Sequence, residues 1–505
     1  MYSIMERRFF SCIDKIGINN YLTIIPLEDG LTAKLSTNAC EYCVDGNGNW
    51  KSLPADTETE TVKSGQTLSF RAKLIPTEDN GVGTFTINKL HNLKGDCMSL
   101  LFEDDTKDCF SLVENNHAFR NLFKGNDKLV DASELSLKAT ALGTHCYYGM
   151  FADCANIISV PELPATTLAS GCYAYMFQNC TSIVEAMDLL AQKLADYCYQ
   201  RMFDGCTNLT KAAQTIAADN FPLYSCAYMF NGCTSLTKAP VISLTVANPT
   251  SSRYMQNFCC SSMFRGCINL TDIQEEMPNT RMGNNIYEYM FSGCTSLTKA
   301  PKLPSTSFGT FVYQYMFSGC TGLTKAPDLP AKNLTQQCYY FMFNGCKGLV
   351  DAPELPATTL ANTCYQAMFN GCTSLVEAPD LPATTLKQGC YGYMFQGCTS
   401  LTNAPVISAT IIADNCYQRM FSGCINLVEA PVLLAETLKT LCYEYMFYNC
   451  SKLNYIKMMA TDITADRCLQ NWVLGVGTTG TFVKNKDATW ETGFVVPSGW
   501  EVITE

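Results

Sequence analysis

Residues Asp351 to Glu377 read DAPELPATTLANTCYQAMFNGCTSLVE, and this stretch decides the fold because the chain repeats it. Its Met-Phe pair recurs at Met150, Met176, Met202, Met229, Met263, Met290, Met316, Met342, Met368, Met394, Met420 and Met446. From Met290 onward each step is 26 residues; the earlier steps are 26, 26, 27, 34 and 27. Worn copies stand at Leu122-Phe123 and around Trp472. Composition does not produce such a period. A fixed repeat of this length marks a chain whose units bury their apolar faces against one another.

Within the unit, Leu360, Cys364 and Met368 fall at i, i+4 and i+8, with Tyr365 and Phe369 beside them. That spacing predicts one apolar face of a short helix, stopped by Gly371 in a left-handed position. Thr373-Ser374 then turns the chain into an extended rung through Leu375, Ala378 and Leu381. Pro240, Pro301, Pro327, Pro353, Pro379, Pro405 and Pro431 recur in the rung, where each removes a backbone donor and keeps the stacked ladder short.

Stacked at the strand spacing of about 4.8 Å, the rungs would form a long surface and no enclosed pocket. The expected fold is therefore an α/β repeat, a solenoid of about 12–13 units over 113–474. Segment 19–112 alternates apolar and polar residues around turn-rich breaks and reads as a β-sandwich-like module; 475–505 reads as a β-rich C-terminal cap. Ahead of them, the N-terminal arm 1–18 keeps Met5, Phe9, Cys12, Ile13 and Ile16 at helical spacing, for packing on its own chain or for docking to a partner.

The 505 residues carry 16% charged side chains, 47% hydrophobic ones and a net charge of −11. Charge falls below the usual ~25% while apolar content is ordinary, which excludes a disordered tail. The acidic balance argues against nucleic acid as a partner. No apolar run approaches the ~18 residues of a membrane span, so no membrane insertion is expected. Met1–Asp14 lacks the charged-then-apolar layout of an export signal.

The repeat resembles the BspA-like leucine-rich repeats of bacterial surface proteins. The residues that carry the likeness are Tyr365, Phe369 and Gly371-Cys372-Thr373-Ser374-Leu375, then Tyr391, Phe395 and Gly397-Cys398-Thr399-Ser400-Leu401. The longer unit and the Met-Phe and Ala-Pro pairs resemble a divergent branch found in gut anaerobes and their phages. The resemblance implies adhesion or receptor contact without catalysis. Together with the missing export signal, it implies a phage virion surface or fibre component that contacts host surface protein or glycan. The alternatives are a purely structural virion subunit and an exported bacterial adhesin. Implied partners are other virion subunits, held through the arm or the module, with self-association as a further option.

The chemistry in the chain points the same way. Cysteines form two columns eight residues apart, such as Cys364/Cys372 and Cys390/Cys398, and the first column is vacated by Ile286 and Val312 while Cys294 and Cys320 remain. Apolar replacement predicts packed free thiols in place of disulfide ladders. Cys40-x-x-Cys43 stands without a second pair or nearby His, so two strand positions are expected and no zinc. Asp45, Asn47, Asn49 and Asp56 match a calcium-loop template except that Trp50 takes its glycine, so a plain turn is expected. His91, His117 and His145 are the only histidines, with no nucleophile signature, and no enzyme, cofactor or metal is predicted.

Two columns vary while the frame does not. The rung position before Ala holds Glu185, Lys211, Lys238, Lys299, Lys325, Asp351, Glu377 and Glu429, basic in the middle and acidic toward the C-terminus. The position before Met holds Tyr175, Tyr228, Tyr289, Tyr315, Tyr393 and Tyr445. The charges fit a solvated face or a binding face; the aromatics fit inter-unit packing or a contact strip. The 34-residue step holds an insertion with Arg253 and Tyr254, and insertions in solenoids tend to sit on the binding face.

Overall fold

The computed structural model describes residues 21–245, 254–278 and 281–505. The N-terminal arm and Arg253 lie outside them. The chain divides into two compact units, Met1–Ala213 and Gln214–Glu505.

In the first unit, β1 (Leu22–Pro26), β2 (Ala33–Leu35), β3 (Cys40–Val44), β4 (Lys51–Leu53), β5 (Leu68–Arg71), β6 (Phe85–Ile87) and β7 (His91–Asp96) precede α1 (Ser99–Phe102) and β8 (Leu129–Ser136). A six-stranded sheet runs β4-β3-β5-β1-β7-β8, and β2 pairs β6 separately. The pairs are antiparallel except β7 with β8, which is parallel. Period-two burial, as in β2 and β6, explains why these segments are strands. The two sheets meet where Phe70 and Phe85 lie edge to face at 4.8 Å. Because β8 already belongs to the repeats, the sheet leads directly into the stack. Phe85 stacks on Phe123, and Asn126 donates to the Phe85 carbonyl.

The second unit holds parallel pairs β9 (Thr215–Ala218) with β10 (Val241–Leu244) and β11 (Tyr254–Met255) with β12 (Arg281–Met282). It ends in a parallel sheet of β13 (Tyr455–Met458), β14 (Thr481–Lys484) and β15 (Glu501–Thr504).

The expected helix does not form. Among the described residues the helix is α1, and none lies in a repeat, so the α/β reading is corrected to an almost wholly strand-and-turn coil. The cause is visible in one copy. Thr363, Ala367 and Gly371 have φ of +55°, +54° and +72°, a left-handed residue at every fourth position. Between them, the N–H groups of Gln366, Met368, Asn370 and Cys372 each donate to the carbonyl three residues back. The alternate N–H groups of Tyr365, Ala367, Phe369 and Gly371 point out of the coil and donate to Cys390, Gly392, Met394 and Gln396 at 2.7–3.1 Å. No donor is left for an i→i−4 bond. The segment is a ribbon of consecutive turns, each stitched to the next coil, and its four-residue period imitates the i, i+4 spacing of a helix. The same pattern recurs in the first unit at Gly171, Tyr175 and Asn179.

The rung behaves as its prolines require. Parallel contact there is reduced to single bridges, Lys299 with Lys325 and Lys325 with Asp351.

The core sits on the inner side of the ribbon. Cys364, Tyr365, Met368, Phe369, Cys372 and Leu375 are all at most 1% exposed. Phe rings stack coil on coil through Phe317, Phe343, Phe369 and Phe395 at 5.6–5.7 Å. A second ladder runs through Tyr313, Tyr339, Tyr365 and Tyr391. Both converge on Trp472, which faces Tyr443 and Phe447 and donates its indole N–H to the Val495 carbonyl.

Candidate recognition surface

Every one of the tyrosines Tyr175, Tyr228, Tyr289, Tyr315, Tyr393 and Tyr445 occupies the middle left-handed position of its ribbon, with φ between +53° and +61°. This conformation, costly for a side chain with a Cβ, turns the ring to the outer side of the ribbon, and all six are half-buried. The inner tyrosines, such as Tyr313, are buried.

In the second unit the outer rings form a strip. Tyr289 stacks on Tyr315 at 4.6 Å and 5°, and Tyr315 on Phe341 at 5.0 Å. Tyr340 meets Tyr315 edge to face at 5.6 Å. The Arg265 guanidinium lies 5.1 Å over Tyr289, and Arg419 lies 4.2 Å over Tyr445, whose hydroxyl accepts a hydrogen bond from Asn471. Burial and the neighbouring phenols push the Tyr315 hydroxyl pKa up. The first unit carries a smaller cluster: Arg120 over Tyr148, Tyr148 against Tyr175, and His117 stacked on His145 at 5.2 Å. Burial holds both imidazoles below the usual histidine range. Gly171 lies beneath His145, where a Cβ would come within 2.3 Å of the ring.

Arg265, Tyr340, Arg419 and Tyr148 were not singled out by sequence. Arg419 precedes Met420 in the tyrosine column and is missed when that column is read for aromatic residues alone.

The charged column lies elsewhere, on the rung. Lys211 pairs with Glu185, and Lys238 with Asp272 at 3.0 Å. No ion pair reaches Lys299, Lys325, Asp351, Glu377 or Glu429 among the described residues. The tyrosine and charge columns therefore do not converge on one site. Tyr254 enters through its backbone, paired with Arg281 between β11 and β12.

The metal-like motifs have other employment. Cys40 and Cys43 are buried in β3. Asp45 accepts from Gln66 and from the Thr67 N–H, and Asn47 from the Asn49 N–H.

Coils stitched through alternate amides around Phe and Tyr ladders define a leucine-rich-repeat protein. The chain belongs to the BspA-type leucine-rich repeat family, whose model matches residues 138–248, 250–376 and 390–471 in six copies. Two solved structures align with it. One is the TLR13 chain of a TLR13–ssRNA13 complex, at 14% identity and a TM-score of 0.24, over 76% of this chain and 58% of that one. The other is a leucine-rich cell surface protein from Faecalibacterium prausnitzii A2-165, at 14% identity and a TM-score of 0.27, over 76% of this chain and 92% of that one. This chain thus spans less than two thirds of the TLR13 chain. No curated protein matches the sequence.

Proposed function

We propose that this protein is a non-catalytic recognition protein displayed on a surface, and that the outer side of its ribbons contacts a protein or glycan. The observation that carries this reading is the strip Arg265–Tyr289–Tyr315–Phe341. Tyr and Arg are enriched among the side chains that dominate binding energy at interfaces, Tyr because it brings large contact area at low entropic cost and Arg because its planar fork both stacks and hydrogen-bonds. Here the strip is mounted on coils stitched to one another by backbone hydrogen bonds. Segments 19–112 and 475–505 serve as covers for the stack, and the arm 1–18 attaches the protein to its neighbours.

The strip's role is tested by binding of the purified chain to host cells and to a glycan array. The double variant Tyr289→Ala/Tyr315→Ala should weaken binding by at least tenfold, the effect of about 1.4 kcal/mol, while leaving the unfolding curve intact at the core. Undiminished binding would refute this role. The finer reading, a phage virion surface or fibre component, is separated from an exported bacterial adhesin by antibody labelling of intact particles and of cell envelopes: label on particles supports the first, and label confined to envelopes the second.

A further inference from the structure

Three coils of the second unit share a groove that the aromatic strip does not use. Its walls are 325–330, 350–356 and 376–382. Val350 and Val376 line it and are 45% and 42% exposed, at a position that other coils fill with threonine, as at Thr298, Thr324 and Thr402, or with valine, as at Val184 and Val428. Here two such valines stand side by side on adjacent coils within one groove. Around these valines stand five exposed carboxylates, Asp328, Asp351, Glu354, Glu377 and Asp380, against one cation, Lys325.

On other coils a carboxylate faces a lysine one coil away: Glu185 with Lys211, Asp272 with Lys238, Glu275 with Lys302. In the groove none of the five has an ion pair among the described residues, although Asp380 accepts the Val406 N–H at 3.0 Å. Like charges side by side on adjacent coils repel, and a concave wall of one sign concentrates the field on whatever enters it. Pro330, Pro353, Pro356, Pro379 and Pro382 line the same groove and offer no N–H, so its polar surface accepts hydrogen bonds far more than it donates them.

We propose that this groove binds an extended basic segment of a partner protein in which lysine or arginine alternates with small apolar side chains. The cationic groups match the carboxylates and the donor-poor wall, and the apolar ones match Val350 and Val376. A bare cation would have no use for the valines. The proposal is independent of the aromatic strip and stands or falls without it.

Fluorescence anisotropy with the full chain tests it, using a short labelled peptide of alternating Lys and Val, a matched Glu-Val peptide, and calcium and spermine as competitors. The Lys-Val peptide should bind at low salt and the Glu-Val peptide should not. Glu354→Lys/Asp380→Lys should weaken binding by roughly tenfold or more, and Val350→Thr/Val376→Thr by several-fold. The second pair installs the residue that neighbouring coils already carry, so the fold is kept. Absence of binding at low salt would overturn the proposal. So would affinity unchanged by the threonine pair, or displacement by calcium as effective for the variants as for the parent, since either result would mean a cation atmosphere and no docking groove.

Discussion

The Sγ of Cys372 donates to the carbonyl oxygen of Phe343, one coil back, at 3.1 Å. The same bond joins Cys346 to Phe317, Cys398 to Phe369 and Cys424 to Phe395, and in the first unit Cys180 to Phe151. Each such thiol is a small buried donor that ties adjacent coils. The other cysteine column is bonded more loosely: Cys442 reaches the Cys468 carbonyl only at 4.0 Å, Cys468 turns to the Ile463 carbonyl, and Ile286 and Val312 stand in the same column. Cys372→Ala should therefore cost about 1 kcal/mol or more, and Cys372→Ser less. Cys364→Val should cost under about 1.5 kcal/mol. Denaturant unfolding of the three variants checks the order.

Burial also governs thiol chemistry. It pushes Cys364 and Cys450 from the ordinary 9.0 up to about 12. A folded-state value above the unfolded one stabilises the fold fully below pH 9, and that contribution is lost as pH rises toward 12. The urea midpoint should fall steeply above pH 9, and in the native protein Cys109, the half-exposed thiol among the described residues, should alkylate ahead of the buried columns.

His91 behaves in the opposite sense at the acid end. Burial holds it at about 4, below the ordinary 6.5, so the fold carries it neutral. Its contribution, up to about 3 kcal/mol, is present above pH 6.5 and lost as pH falls toward 4. Stability measured across that window should decline less in a His91→Asn variant.

The surface ion pairs contribute little. Lys238 and Asp272 are both mostly exposed, and Lys238→Glu should change stability by under about 1 kcal/mol, detectable as a small shift in thermal midpoint.

The stacking, the inward Met, Phe and Cys columns and the free thiols were legible because the chain repeats the Met-Phe unit twelve times. The path of the backbone between those columns was not. Apolar residues four apart serve equally for a helix and for turns that close every four residues, and the left-handed positions are filled by Thr363, Ala367 and Tyr393 as well as by glycine. Nothing in such residue types announces a positive φ. The aromatic column was found from the sequence, whereas Arg265 and Tyr340 entered the strip only when the ribbon turned them toward it. The groove at 325–382 was half visible, as the turn of the rung column from basic to acidic at Asp351 and Glu377, without the pairing contrast that gives it meaning.

The central claim is that the repeats carry a ribbon of turns with a left-handed residue every fourth position, which sets the outer tyrosines facing outward. Gln337 sits at such a position with φ of +52°. The most direct test compares the unfolding free energies of Gln337→Gly and Gln337→Ala. In the ribbon, glycine should be the more stable by about 1 kcal/mol; in a helix, alanine would be the more stable by about the same amount, and that result would contradict the account.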